Sequence, residues 1–139
     1  MDSNIFLDSD VILDFLLKRE PFNVPARSIF GLAYNGEIQI FLSSLTVANV
    51  HYLLRKLYGN DGALKKITEL VSFCKILPVS EKEIFATLKS GFSDFEDAIQ
   101  HFSAVQNPEI KGIITRNLAD YKKSQIPIFT PEAFLSTIK

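Results

Sequence analysis

Acidic, amide and hydroxyl side chains follow short apolar runs at separate places in this chain. They are Asp8, Ser9 and Asp10 after one run and Thr115, Asn117 and Asp120 after another. Between them lie Asp94 and Asp97, at the start of a segment with helical apolar periodicity. Ligands of an open α/β sheet bind outside the carboxyl ends of the parallel strands, so groups that follow different strands can meet in one crevice. Carboxylates gathered in this way repel one another unless they share a proton or a cation.

A hard cation, Mg²⁺ or Mn²⁺, suits such a set of oxygen ligands. The chain has one cysteine, and its two histidines, His51 and His101, are far apart in sequence. No thiolate or imidazole pair at ligand spacing therefore favours a softer metal. The pattern points to metal-assisted phosphoester chemistry.

Some of these residues also have a purely structural interpretation. Asp94 can be the N-cap of a helix whose dipole Asp97 complements, and Asn117 can cap a short helix. Asp8 and Asp10 are harder to explain in this way, because a cap needs only one of two neighbouring carboxylates. The joint occurrence of all these groups favours a metal site.

Asp14 is expected to lie outside the site. Lys18 is four residues further along a predicted helix, and this spacing is typical of a solvated ion pair. No role in metal binding is therefore predicted for Asp14.

The composition indicates a single globular domain over residues 1–139. A hydrophobic content of 47% excludes a disordered chain, and a net charge of −1 gives no global attraction to nucleic acid. The single cysteine, Cys74, excludes an internal disulfide and fits a reducing cytoplasm, which is the predicted location. No segment approaches the ~20 uncharged apolar residues of a membrane span, so no membrane association is expected.

Hydrophobic periodicity alternates between strand and helix along the chain. Strands are expected near residues 4–7, 38–42, 75–79, 111–115 and 126–129, with helices between and after them. A helix break is expected over residues 59–62, and Ser80 with Glu83 forms a capping box. Alternation of this kind predicts a three-layer α/β/α sandwich with a short parallel sheet of four to five strands.

The order and spacing of these motifs resemble the PIN domains, Mg²⁺-dependent nucleases that include the toxins of VapBC-type toxin–antitoxin pairs. Residues 5–13 look like the first strand of that family, with Asp8 in the metal-ligand position. Residues 95–100 are similar to its third acidic motif, with Asp97 as ligand. Residues 113–121 resemble the closing motif, which ends on Asp120 before an aromatic residue.

The resemblance implies a Mg²⁺- or Mn²⁺-dependent endoribonuclease that hydrolyses RNA by in-line attack of an activated water. Its implied partners are RNA, an antitoxin protein and a second copy of the chain in a homodimer. The implied roles are metal binding by Asp8, Asp97 and Asp120, support from Asp94 and Asp10, orientation of ligands or phosphate by Asn117, Asn49 and Thr115, and phosphate contacts from Ser9 and Arg116.

The second motif departs from the family pattern, which has a glutamate where this chain has Asn49. An amide oxygen can bind Mg²⁺ but carries no charge, so weaker metal binding and slower cleavage are expected. A non-catalytic PIN module that binds RNA or a partner protein is therefore one alternative. A phosphatase of the HAD type is another, because residues 7–11 also fit the opening motif of that class, with Asp8 as nucleophile.

Self-association is also suggested by the residues themselves. The segment 50–58 carries more apolar side chains than one helix face needs to cover a small core. A symmetric dimer is the expected use of the surplus.

Overall fold

Strands and helices alternate along the chain, as the periodicity predicts. The structure is a computed structural model and describes residues 3–138. The strands are β1 (Asn4–Leu7), β2 (Gln39–Ser43), β3 (Cys74–Leu77), β4 (Gly112–Ile114) and β5 (Ile128–Phe129). The helices are α1 (Ser9–Leu16), α2 (Asn23–Tyr34), α3 (Ser44–Val71), α4 (Glu81–Leu88), α5 (Phe95–Val105) and α6 (Pro131–Ser136).

The strands form one five-stranded sheet in the order β3-β2-β1-β4-β5, and every pairing is parallel. The central strand β1 pairs through Ile5 with Ile40 of β2 on one side and with Gly112 of β4 on the other. The chain proceeds from β1 in one direction of the sheet and later returns to its opposite side. The carboxyl ends of β1 and β4 therefore flank a topological switch point, where open α/β sheets bind ligands.

Both faces of the sheet are covered, and this confirms the three-layer prediction. Alternate strand residues point to opposite faces. Ile5 and Leu7 belong to a core shared with α1, α2, α3 and α6, whereas Phe6 lies in a second core with Ala104 of α5. Because residues on both faces are buried, the strands read as continuous apolar runs rather than as alternating ones.

Two local predictions needed correction. The predicted break at residues 59–62 is confined to Gly59, whose φ of 76° and ψ of 174° interrupt the helical conformation within α3. Instead of about two turns of α-helix over 117–123, the chain forms a short 3₁₀ helix, Leu118–Tyr121. Its last residue, Tyr121, is buried within the second core.

Further expectations concern Cys74, the capping box and membrane spans. Burial raises the pKa of the half-buried Cys74 thiol to about 12, which makes it a poor nucleophile. The Glu83 carboxylate accepts the Ser80 backbone N–H at 2.7 Å, so the capping box of α4 is confirmed. Within residues 3–138, none of the helices combines the length and the apolar character that a bilayer crossing requires.

Gly112 provides a test of the β4–β5 contact. A Cβ at this position would lie 2.7 Å from the Pro127 carbonyl oxygen and 2.8 Å from the Phe129 ring. We expect Gly112→Ala to lower the free energy of unfolding by about 1–3 kcal/mol, because overpacking forces the backbone apart. The control is Gly31→Ala in α2, where nothing lies within 4 Å of the added Cβ and helix propensity should add up to about 1 kcal/mol. Urea unfolding measures both, and equal stability of the two variants would contradict the expected clash.

Candidate metal centre

Asp8 occupies the carboxyl end of the central strand and is the N-cap of α1. Its Oδ1 accepts the Ser9 backbone N–H at 2.7 Å. Its Oδ2 lies 2.8 Å from the donating hydroxyl of Thr115, which directly follows β4, and 3.2 Å from the hydroxyl of Tyr121. Only 5% of Asp8 is exposed, and these three hydrogen bonds orient its carboxylate.

A second group of carboxylates lies beside it, at the start of α5 and in the 3₁₀ helix. Asp94, Asp97 and Asp120 each offer an oxygen, and these oxygens lie within 4.8 Å of one another. Asp94 also caps α5 by accepting the Asp97 backbone N–H at 2.9 Å, so the structural interpretation and the site interpretation both hold for it. The Asn117 side-chain amide donates to Asp120 and orients that carboxylate.

Tyr121 joins the two groups and was not anticipated from the sequence. Its hydroxyl lies 3.2 Å from Asp8 Oδ2 and 3.5 Å from Asp97 Oδ1. The signal for it was present, since an aromatic residue directly follows Asp120 in the closing motif. An aromatic residue beside a turn is more often part of the core, and Tyr121 has that role as well.

Asp10 faces the same edge from the first turn of α1. Its Oδ2 accepts the Arg116 backbone N–H at 3.1 Å and lies 3.4 Å from the Thr115 hydroxyl. Its Oδ1 is buried and has no hydrogen-bond partner among residues 3–138. A buried carboxylate oxygen without a donor is a costly arrangement that a bound cation or water would relieve.

The electrostatics of the site show the repulsion expected of gathered carboxylates. Removal from water, followed by the charge of Asp8, raises the pKa of Asp97 to about 8. The same two causes raise the pKa of Asp10 to about 6. Burial also raises the pKa of Asp8, although hydrogen bonds from Thr115 and Ser9 act in the opposite direction. Each shift disfavours the charged form in the absence of a counter-charge.

These observations fit a hard divalent cation. Carboxylates are the side chains that Mg²⁺ and Mn²⁺ prefer, and neither a histidine nor a cysteine is part of the set described here. A cation would compensate the repulsion between Asp8 and Asp97 and could satisfy the free oxygen of Asp10. The residues that would hold it are those carboxylates together with Asp94 and Asp120.

The interpretation of Asp14 as a solvated partner of Lys18 was wrong. Asp14 is 1% exposed and forms ion pairs with Arg19 at 2.9 Å and with Arg116 at 2.7 Å. The Arg116 guanidinium also stacks at 3.8 Å from the centre of the Phe22 ring. Its contact with substrate stays a prediction, but this side chain has a structural role that the sequence did not reveal.

Asn49 lies in the second turn of α3 and has an unexpected acidic partner. Its side-chain Nδ2 donates to Glu96 Oε2 at 2.8 Å. Together with Ser9, these two residues border a cavity of about 250 Å³. Glu96 was overlooked because an acidic residue in the first turn of a helix is usually explained by the helix dipole.

Comparison with known proteins agrees with this geometry. The PIN domain family model matches residues 4–119. VapBC2 from Rickettsia felis, solved with a DNA fragment from its promoter, has a TM-score of 0.65 at 16% identity, with 91% of this chain and 98% of that chain covered. A toxin–antitoxin complex from Klebsiella pneumoniae has a TM-score of 0.67 at 21% identity, with 91% and 97% covered.

A third similar structure is VapC20 from Mycobacterium tuberculosis, a toxin that cleaves the sarcin–ricin loop. Its TM-score is 0.59 at 15% identity, with 78% of this chain and 86% of that chain covered. At these identities the likeness concerns the fold. No curated protein sequence matches the chain significantly.

Asp97 predicts how the stability of the metal-free protein depends on pH. The unfolded aspartate ionises near pH 4, whereas the folded side chain keeps its proton up to about pH 8. The folded state therefore binds more protons over this interval, and the free energy of unfolding falls as the pH rises. We expect Asp97→Asn to raise the melting temperature at pH 8 by roughly 2–5 °C in EDTA and to leave it unchanged at pH 4.

Differential scanning calorimetry at the two pH values measures this effect. The control is Glu109→Gln. Glu109 is exposed and precedes β4, at the amino end of the strands and away from the carboxylates. This variant should show the same difference in melting temperature between the two pH values as the wild type. An Asp97→Asn variant that is less stable than the wild type at pH 8 would show that Asp97 is not under electrostatic strain.

Proposed function

The chain belongs to the PIN domain family, and on that basis we propose that it is a Mg²⁺- or Mn²⁺-dependent endoribonuclease that acts as the toxin of a toxin–antitoxin pair. The observation that carries the proposal is the gathering of Asp8, Asp97 and Asp120 from three separate elements at the switch point of the sheet. Carboxylates gathered in this way on an α/β scaffold are suited to metal-assisted hydrolysis of a phosphodiester.

The carboxylates of the site supply negative charge, and the neutral side chains around them orient these carboxylates and the substrate. A divalent cation bound there would neutralise charge on the scissile phosphate and lower the pKa of the attacking water. Asp8, Asp97 and Asp120 provide the negative field that retains the cation, with Asp94 and Asp10 beside them. Donation from Thr115 to Asp8 favours the ionised form of that carboxylate.

Orientation falls to the neutral groups around the carboxylates. Asn117 holds Asp120 through its side-chain amide. Ser9 and Thr115 place hydroxyls beside Asp8, and we propose that they and Arg116 contact a phosphate of the substrate. Asn49 brings an amide rather than a carboxylate from α3, so the cation is bound more weakly unless another group supplies the charge.

RNA and an antitoxin are the proposed partners. VapC20 cleaves the sarcin–ricin loop, and the similar structures from Rickettsia felis and Klebsiella pneumoniae are toxin–antitoxin complexes. The proposed location is the cytoplasm, where such substrates and the reduced Cys74 would both be found. The overall charge of −1 requires that RNA binding depend on local features rather than on a global field.

A non-catalytic PIN module that binds RNA or a protein is the second candidate, and Asn49 is the observation that favours it. The phosphatase alternative is weaker, because that class needs an acidic pair directly after a further strand, whereas Asp94 and Asp97 lie at the start of α5, which follows α4. A cleavage assay with Mn²⁺ separates the nuclease from the binding module.

Asp8→Asn tests the nuclease directly. The amide keeps the shape and the cap of α1 but removes a charge at the centre of the site, so we expect Mn²⁺-stimulated cleavage of total cellular RNA to fall at least ~100-fold. The control is Glu109→Gln, which should cleave as the wild type does. Wild-type protein that binds RNA without cleaving it at any Mn²⁺ concentration would favour the binding module.

Self-association is the second prediction of this proposal. The predicted surplus of apolar surface on α3 is exposed, with Tyr52 at 58%, Leu57 at 62% and Tyr58 at 47%. We expect a dimer at micromolar concentration by light scattering, because these side chains gain by leaving water. Leu57→Glu should shift the equilibrium towards the monomer without changing the melting temperature of the monomer, and a monomeric wild type would contradict the prediction.

A further inference from the structure

The hydrogen bond between Asn49 and Glu96 joins two helices that are distant in sequence. Asn49 lies on α3 and Glu96 in the first turn of α5, with 2.8 Å between Nδ2 and Oε2. A carboxylate only accepts, so the amide nitrogen of Asn49 must face Glu96. The amide therefore directs the charged end of Glu96 towards α3.

A buried network of hydrogen bonds connects α3 and α5 close to this contact. The Ser43 hydroxyl, at the end of β2, donates to Gln100 Oε1 at 2.7 Å, and Gln100 Nε2 donates to Thr46 Oγ1 at 2.5 Å. All three residues are fully buried. Thr46 is one turn from Asn49, and Gln100 is one turn from Glu96. The buried network therefore connects α3 and α5 one helical turn from the hydrogen bond between Asn49 and Glu96.

The carboxylate of Glu96 lies beside the candidate metal centre. Ser9, the neighbour of Asp8, borders the same cavity as Glu96. Glu96 and Asp97 are consecutive in α5, so one helix start presents a carboxylate to α3 and another to Asp94 and Asp120.

A helix-dipole role alone does not explain this arrangement. An acidic side chain in the first turn interacts favourably with the dipole from any solvated rotamer. Glu96 is instead bound to an amide at the position where related domains carry a glutamate. The site thus has a carboxylate beside position 49, but it comes from the neighbouring helix.

We propose that Glu96 supplies, from α5, the negative charge that α3 lacks at position 49, and that Asn49 is a positioning residue for it. The proposal rests on the proposed function, since it assigns Glu96 to the same cation. It accounts for an amide in the second motif without requiring an inactive site.

Titration with Mn²⁺ tests this, with isothermal calorimetry as the readout independent of activity. We expect Glu96→Gln to weaken Mn²⁺ binding roughly tenfold, which corresponds to about 1.4 kcal/mol. The double variant Asn49→Glu/Glu96→Gln returns the carboxylate to α3 and keeps one amide–carboxylate hydrogen bond with the roles exchanged. Its Mn²⁺ affinity should recover to within about threefold of the wild type. Glu109→Gln is the matched control and should bind as the wild type does.

The outcomes separate this proposal from the function on which it rests. Unchanged Mn²⁺ affinity in Glu96→Gln, with binding lost in Asp97→Asn, would overturn the role of Glu96 and leave the nuclease proposal standing. A loss in Glu96→Gln that the double variant does not recover would also overturn it, because the charge would then not be exchangeable between the helices. Wild-type protein that binds no Mn²⁺ would overturn both proposals.

Discussion

Carboxylates that are withdrawn from water and placed side by side resist ionisation, and this constraint governs the carboxyl edge of the sheet. Burial and the charge of Asp8 raise the pKa of Asp97 to about 8 and that of Asp10 to about 6. In a fold without a ligand such an arrangement only weakens stability. A divalent cation bound there would replace the repulsion among the carboxylates by attraction. The buried Asp10 oxygen without a donor belongs to the same pattern.

Most of the groups at the site also have a structural role, as a helix cap or as part of the core, and this role fixes their positions. Asp8 and Asp94 are N-caps, so each carboxylate is anchored to the start of a helix by a backbone N–H. Tyr121 lies between Asp8 and Asp97 and is also part of the core beneath them. The buried Gln100 connects α5 to β2 and α3. The site is therefore built on the ends of helices and strands that belong to the sheet or pack on it.

Spacing in the sequence was an incomplete guide to charge pairing. Asp14 and Lys18 have the separation of a helical ion pair, yet Asp14 is buried and binds Arg19 and Arg116 instead. The reason is that α1 ends at Leu16, so Lys18 no longer follows the helical geometry and has a φ of 54°. The partner of Arg116 is about a hundred residues away in sequence, and no local pattern indicates such a contact. Glu96 was overlooked for the same reason, because its hydrogen-bond partner, Asn49, lies on α3 and is distant in sequence.

The sequence by itself determined the order of strands and helices, the parallel sheet with two covered faces, and the carboxylates at its edge. These features depend on periodicity, capping and strand ends, which are local properties of the chain. Only the tertiary structure decided which groups meet: Tyr121 with Asp8, Arg116 with Asp14, and Glu96 with Asn49. Such contacts depend on how helices rotate and approach one another during packing, and packing is a property of the whole core rather than of any short segment.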